Sequence, residues 1–257
     1  MIDHPPASVT VPVPHVVHDD EGTLIRFACA GALGDASFGV RINRPIEPSP
    51  DALGAACAAF FLWPAMSVGA RLVVDSPVPG ALLDTLDVLQ EIFTTWYPEK
   101  FSSAGRVVAP SSHFAGTRAA SQAVFFSGGV DSTFSLLRHR QALAGLIFVI
   151  GFDIAAGNKP LADAVTASMR EAAAKFRLPL VEITTDLRDF SDRHVHWGSH
   201  YCGAAMAGMA HLLAGEFDRI LIPGTMTWSD LDPFGTHPFT DELWSSPAMR
   251  LHHGACD

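Results

Sequence analysis

Lysine is scarce in this chain of 257 residues, and no basic tract occurs anywhere along it. Only Lys100, Lys159 and Lys175 are lysines among 17 basic residues, and the formal net charge is −10. Proteins that bind nucleic acid without sequence preference neutralise its phosphates with clustered Lys and Arg. Because that cluster is missing, nucleic acid is not an expected partner. Hydrophobic residues make up 48% of the chain, which is enough to fill a large core.

The sequence also lacks the signals that direct a chain out of the cytoplasm. Its first residues form neither a basic nor an apolar leader, and no apolar run is long enough to cross a bilayer. The cysteines Cys29, Cys57, Cys202 and Cys256 form no C-x-x-C pair, a pattern typical of reduced thiols. We therefore expect a cytoplasmic protein without a membrane partner.

The rhythm of apolar residues divides the chain into two parts. Residues 1–118 predict a smaller α+β region of unknown role, with strands at 11–17, 23–29 and 71–75 and helices at 52–62 and 82–96. Asp51 is the predicted cap of the first helix. The polar stretch 111–121 is the predicted boundary.

Strands and helices alternate in residues 119–257. The strands are predicted at 123–126, 145–152, 180–184 and 219–223, and the helices at 132–142, 161–176 and 199–214, the last capped by Ser199. Alternation of this kind, with nearly continuous apolar strands, predicts an α/β fold with a parallel sheet covered by helices on both faces. Ligands of such sheets bind at the carboxyl ends of the strands.

A loop rich in glycine and hydroxyl groups lies between the first of these strands and its helix. It consists of Ser127, Gly128, Gly129, Val130, Asp131 and Ser132. Two glycines let the backbone approach an anion closely, and successive N–H groups at a helix start bind phosphate. A carboxylate would repel that phosphate unless a metal lay between them, so Asp131 is expected to hold Mg²⁺.

This loop resembles that of the PP-loop, or N-type, ATP pyrophosphatases, and residues 126–132 match the family loop without a mismatch. The family includes 7-cyano-7-deazaguanine synthase, GMP synthetase and asparagine synthetase. The resemblance begins near Ala123, whereas the preceding region matches no family. It implies a five-stranded parallel sheet of the adenine nucleotide α-hydrolase (HUP, Rossmann-like) type.

The resemblance also implies a chemistry and a set of site residues. ATP, held with Mg²⁺, would adenylate a carboxylate, carbonyl or amide oxygen of a small-molecule acceptor, and ammonia or an amine would then displace AMP. Asp131, Ser127 and Ser132 would be the catalytic residues. By position in the family, residues at the ends of later strands would complete the nucleotide site, with Asp230 as a second metal ligand: Gly151, Phe152, Asp153, Gly224 and Thr225.

Candidates for the acceptor site come from their position near the same edge of the sheet. They are Lys159, His196, Trp197, His200, His237 and Asp241. The histidines at 194–202 and Cys202 also have the ligand types of a zinc site, but their spacing fits no metal motif, so a substrate pocket is the favoured interpretation. A solvated surface loop is the remaining alternative for each of these segments.

Three features depart from the family pattern. The chain ends at Asp257, before the point to which related proteins usually extend, so it is either a compact member or lacks a C-terminal piece. No paired cysteines support sulfur transfer, and no N-terminal nucleophile supports a glutaminase. A thiolation enzyme of tRNA or a metabolite and a non-catalytic ATP-binding module stay open as alternatives, as does a homodimer.

Overall fold

The structure, a computed structural model, describes residues 7–101, 106–113 and 120–254. The strands are β1 (Ser8–Val11), β2 (His15–Asp19), β3 (Gly22–Gly31), β4 (Ala36–Ile42), β5 (Arg71–Val74), β6 (Val78–Pro79), β7 (Val107–Val108), β8 (Ser111–Ser112), β9 (Gln122–Phe125), β10 (Leu143–Ile150), β11 (Leu180–Thr185), β12 (Arg219–Ile222) and β13 (Arg250–His253). The α-helices are α1 (Pro50–Ser67), α2 (Gly80–Trp96), α3 (Val130–His139), α4 (Lys159–Phe176), α5 (Leu187–Ser191) and α6 (Cys202–Leu212). A π-helical turn, Trp197–Tyr201, precedes α6, and short 3₁₀ turns occupy Trp228–Asp230 and Asp241–Trp244.

Eleven strands form one mixed sheet in the order β13-β12-β9-β10-β11-β4-β3-β1-β5-β7, with β2 paired to β3. The run from β13 to β11 is parallel throughout. At β11 the direction changes, because β4 pairs with it antiparallel through Ile183 opposite Ile42. The predicted α/β class is confirmed. The sheet is larger than the five parallel strands predicted, because beyond β11 it continues through the antiparallel β4 into the strands of the N-terminal region.

Helices cover both faces of the parallel run. Alternate side chains along β9 and the next residue, Phe126, enter different cores. Ala123 and Phe125 face a core shared with α1 and α6, while Val124 and Phe126 face one shared with α3 and α4. This alternation follows from the two-residue period of a strand. The first core extends from Val9 to Leu251 and so joins the two predicted regions.

Three local predictions need correction. Residues 11–17 do not form one strand, because Pro12 and Pro14 lack the N–H groups that a ladder requires, and β1 ends before them. The cap of α1 is Ser49, whose Oγ accepts the N–H of Ala52 at 3.2 Å, rather than Asp51. Ser199 lies inside the π-helical turn, and His196 caps it instead.

The division between residues 118 and 119 falls within 114–119, which lie outside the described residues. Within the ranges that are described, no helix has both the length and the apolar composition needed to cross a bilayer.

Candidate functional site

The strand order reverses at β9. The chain passes from β9 through α3 to β10 on one side, whereas β12 pairs with β9 on the other side. Open α/β sheets bind ligands at the carboxyl ends of the strands where the order reverses in this way. Residues 127–132 leave the carboxyl end of β9 at this position.

The backbone of this loop turns sharply into α3. Gly128 has a φ of +77°, a conformation that other residues rarely adopt, so glycine is favoured there. Gly129 is the N-cap of α3. The Ser132 hydroxyl donates to the Gly129 carbonyl at 3.1 Å and lies 3.4 Å from Ser127 Oγ. The first N–H groups of a helix have no acceptor within the helix, so this start of α3 favours an anion.

A cavity of about 410 Å³ opens beside the loop. Its wall includes Ser127, Gly129, Asp131 and Ser132 from the loop. The rest of the wall is mainly apolar and aromatic: Phe125, Phe126, Ile147, Phe148, Val149, Phe152, Asp153, Ile154, Trp197, Gly198, Cys202, Met206, Pro223, Thr225, Phe234 and Thr236. Asp131 and Asp153 are the charged residues among these wall residues. A bound polyphosphate would therefore depend on backbone N–H groups, hydroxyls and a metal cation for its neutralisation.

The carboxyl end of β10 contributes Gly151, Phe152 and Asp153 to the site. Gly151 has a φ of +105°, and a Cβ there would meet the Thr185 carbonyl oxygen at 1.9 Å. The Phe152 carbonyl accepts a hydrogen bond from Arg188 Nη1 at 2.8 Å, and the Asp153 side chain is exposed at the cavity mouth.

Trp197 lies on the wall and is held by neighbours on both sides. Its ring centroid is 4.8 Å from that of Phe152, and the Arg188 guanidinium carbon is 4.9 Å from the indole. A cation above an aromatic ring is an attractive pair. This packing fixes the orientation of the half-buried indole on the cavity wall.

His196 and His200 do not line the cavity. Nδ1 of His196 accepts the N–H of Ser199, and Nδ1 of His200 accepts the N–H of His196, each at 3.1 Å. Burial, followed by the charges of His196 and Lys100, lowers the pKa of His200 to about 4. In the part of the chain that the structure describes, no group of three or more His, Cys, Asp or Glu side chains is arranged to hold a metal ion.

The segment that follows β12 brings Thr225 to the cavity wall but leaves Asp230 away from it. The hydroxyls of Thr227 and Ser229 each donate to the Asp230 carboxylate at 2.7 Å and lower its pKa. The two predicted metal ligands, Asp131 and Asp230, are therefore not on the same wall.

The remaining acceptor candidates lie outside the wall. Lys159 is the first residue of α4 and is exposed. His237 is buried against Trp96, with ring centroids 4.8 Å apart. Asp241 is fully buried and bonded to His253.

Several wall residues are not among the individual substrate or nucleotide residues predicted from the sequence. Cys202 and Met206 are one helical turn apart on α6, and Phe234 and Thr236 belong to the long loop that precedes residue 241. Burial, followed by the Asp241 carboxylate, raises the pKa of the Cys202 thiol to about 12, so the thiol is protonated at neutral pH. For Cys202 and Met206, the only indication in the sequence was their four-residue spacing on a predicted helix, which places them on one face.

Comparisons with family models, with curated proteins and with solved structures gave no match to this chain.

Proposed function

We propose that this protein binds ATP with its β- and γ-phosphates in the loop 127–132 and cleaves the bond between the α- and β-phosphates. The observation that carries this proposal is the position of the loop. It joins β9 to the start of α3 at the reversal of strand order, and it forms one wall of the cavity. The five parallel strands β13-β12-β9-β10-β11, covered on both faces, are compatible with an adenine nucleotide α-hydrolase core.

The loop residues would bind the leaving pyrophosphate. Backbone N–H groups at the start of α3 would donate to the phosphates, as would the Ser127 and Ser132 hydroxyls once the Ser132 hydroxyl releases the Gly129 carbonyl. Asp131 is the wall residue that would hold Mg²⁺, which neutralises phosphate charge when bound. The apolar wall formed by Phe152 and Trp197 suits a purine ring and excludes water.

The proposed reaction is an adenylation followed by a displacement. An oxygen of a small acceptor attacks the α-phosphorus, the bond to the β-phosphate breaks, and pyrophosphate leaves. Ammonia or an amine then attacks the activated carbon, the carbon–oxygen bond to AMP breaks, and a C–N bond remains. Positioning and electrostatic stabilisation by the loop are the main contributions that such a transfer needs from a protein.

The state of Cys202 favours this reaction over sulfur transfer. Cys202 lies on the cavity wall, but its thiol has a raised pKa and donates to the Gly198 carbonyl at 3.5 Å. A thiolate is the form that attacks or carries sulfur, and burial disfavours it here. A sulfur carrier would therefore have to come from outside this cavity.

Product analysis tests the proposal. The protein is incubated with Mg²⁺ and ATP labelled at the α- and γ-phosphates, against panels of carboxylates, amides and carbonyl compounds with ammonium present. Acceptor-dependent AMP and pyrophosphate in equal amounts support the proposal. ADP and phosphate contradict it, and tight nucleotide binding without turnover under every condition favours the non-catalytic ATP-binding module.

A further inference from the structure

A buried acid–imidazole pair lies behind the cavity wall. Oδ2 of Asp241 is 2.6 Å from Nδ1 of His253, and the two side chains are 0% and 7% exposed. The other carboxylate oxygen of Asp241 accepts the N–H of His237 at 3.1 Å. The pair is thus removed from solvent and its hydrogen bonds have defined partners.

His253 also packs against the turn that follows β12. It is the last residue of β13 and lies opposite Ile222, the last residue of β12. A Cβ on Gly224 would lie 2.6 Å from Nε2 of His253 and 2.8 Å from the Gly254 carbonyl oxygen. The imidazole is therefore in close contact with the backbone of the residue that immediately precedes Thr225, which lines the cavity.

Asp241 contacts the other two elements that reach this wall. A Cβ on Gly203 would lie 3.3 Å from Oδ1 of Asp241 and 2.0 Å from the Gly235 carbonyl oxygen. Cys202 precedes Gly203, and Thr236 follows Gly235, and both line the cavity. The pair therefore lies at the junction of the β12 turn, the start of α6 and the long loop.

Burying Asp241 and His253 costs hydration free energy. This cost argues that the pair has a geometric role. Loss of hydration raises the pKa of Asp241, and its hydrogen bonds to His253 and His237, together with the charge interaction with His253, oppose that shift. Replacing a buried ion pair with apolar groups is often neutral or stabilising, whereas breaking one leaves an uncompensated polar group. A pair of this kind contributes a defined geometry more than it contributes stability.

We propose that Asp241 and His253 are positioning residues whose buried hydrogen bond fixes the Gly224–Thr225 turn at the edge of the cavity. The inference rests on the proposed function in one respect: this turn would contact the phosphates of the bound nucleotide. Asp241 then acts through the turn rather than on an acceptor substrate.

The neighbouring residues His252 and Glu242 supply a matched control. Nδ1 of His252 is 2.5 Å from Oε1 of Glu242, so the same two chemical groups are paired, but both side chains are more than half exposed. Exposed pairs of this kind contribute little to structure. Glu242→Gln therefore removes an equivalent charge at this exposed pair.

Two variants interrupt the buried pair in different ways. Asp241→Asn keeps the shape of the side chain and removes its charge. His253→Asn retains a donor toward Asp241, so that the carboxylate stays paired, but removes the ring edge that packs against Gly224. The second variant keeps the test valid if the first one does not fold.

The experiment combines hydrogen exchange of the backbone amides with titration by Mg²⁺ and α,β-methylene-ATP. In each folded variant we expect amide exchange at residues 224–226 to rise and nucleotide affinity to fall, each by about tenfold, as the loss of one buried hydrogen bond implies. Exchange within the loop 127–132 should keep its wild-type rate, and Glu242→Gln should match the wild type in both measurements.

Each alternative outcome is informative. Wild-type exchange at residues 224–226 in a folded Asp241→Asn or His253→Asn protein overturns the inference. If the wild type binds the nucleotide, a variant with faster exchange at residues 224–226 but wild-type affinity also overturns the inference. If the wild type binds no nucleotide but the variants show faster exchange, positioning by the pair is supported and the proposed function fails.

Discussion

Asp131 is the residue of the candidate site whose charge most directly opposes the binding of a phosphate. It occupies the first turn of α3 and lines the cavity beside the loop that we propose binds phosphate. A carboxylate there is compatible with a polyanion only when a cation lies between them, and the side chains of the described wall residues provide none. We therefore propose that Asp131 acts by holding Mg²⁺.

Replacing Asp131 with Asn should lower the rate of AMP release by on the order of 100-fold, since a metal ligand is lost while the side-chain shape is kept. The midpoint of thermal unfolding should stay within a few degrees of the wild type, because the residue is partly exposed. Steady-state kinetics across a range of Mg²⁺ concentrations measures this. Asp163→Asn, on the exposed surface of α4, is the control.

Equal rates in the Asp131→Asn variant and the wild type would remove Asp131 from the metal site. The same substitution at Asp230 gives a second result. A comparable loss there would mean that Asp230 reaches the metal when nucleotide is bound, although it lies off the cavity wall in this structure.

At the residue scale, the sequence was informative where all determinants are local. The loop 127–132 contains its own glycines, hydroxyls and carboxylate next to a buried strand, so its position could be predicted. His237 and Asp241 were placed by sequence proximity alone, and both are buried. Their placement depends on the pairing of β13 with β12, which the four residues of β13 do not reveal.

The burial of helix α6 determines how the histidine in its last turn responds to pH. It consists mainly of small apolar residues and is buried on almost every side. His211, in its last turn, is 1% exposed, and its Nε2 donates to the Trp244 carbonyl at 2.9 Å. Burial lowers the pKa of His211 to about 4, against a raising effect of that carbonyl.

We expect the free energy of unfolding to decrease as the pH falls from about 6.5 to about 4, because His211 accepts a proton more readily in the unfolded chain. The contribution of His211 is fully present above pH 6.5 and amounts to about 3 kcal/mol at most. Burial also lowers the pKa values of His139, His194, His200 and His237, which act in the same direction.

Denaturant unfolding at a series of pH values measures this, with His211→Gln as the comparison. Gln can donate to the same carbonyl but does not titrate, so its stability should depend less steeply on pH over this range. Identical pH profiles for the two proteins would show that His211 does not contribute.

At the element scale, the periodicity of apolar residues predicted most helices. It did not predict which elements pack or pair with one another. Helix α1 is apolar on all sides and almost entirely buried, which indicates a central helix but does not say what surrounds it. Likewise, β4 follows β3 in the sequence, yet its other edge pairs with β11, far along the chain. Such contacts depend on the whole fold rather than on any short segment.

The two parts predicted from the sequence share one sheet and one core in the folded molecule. Gly208 of α6 lets Phe60 of α1 approach so closely that a Cβ would lie 2.2 Å from its ring. The Tyr201 hydroxyl donates to the Phe60 carbonyl at 2.8 Å. With β4 on the edge of β11, the N-terminal region covers apolar surface that the C-terminal half would otherwise expose.

We therefore expect a fragment of residues 120–257 to lack cooperative unfolding, whereas the whole chain unfolds in a single transition. Circular dichroism melts and amide proton dispersion of the fragment and the whole chain make the comparison. A fragment with a sharp, reversible transition near that of the whole chain would establish residues 119–257 as an independent domain.

Phosphate binding at the loop is the property on which the proposed function depends, and Gly129 offers its most direct test. A Cβ at Gly129 would approach only Ser127 Oγ, at 3.5 Å, so Ala is tolerated by the fold, but the methyl group lies in the loop at the cavity wall. Gly157, where a Cβ meets nothing within 4 Å, is the matched control.

Calorimetric titration with Mg²⁺ and α,β-methylene-ATP should show one site in the wild type and in Gly157→Ala, and at least about tenfold weaker binding in Gly129→Ala at unchanged unfolding temperature. Absence of binding to the wild type, or equal affinity in Gly129→Ala, would contradict phosphate binding at this loop.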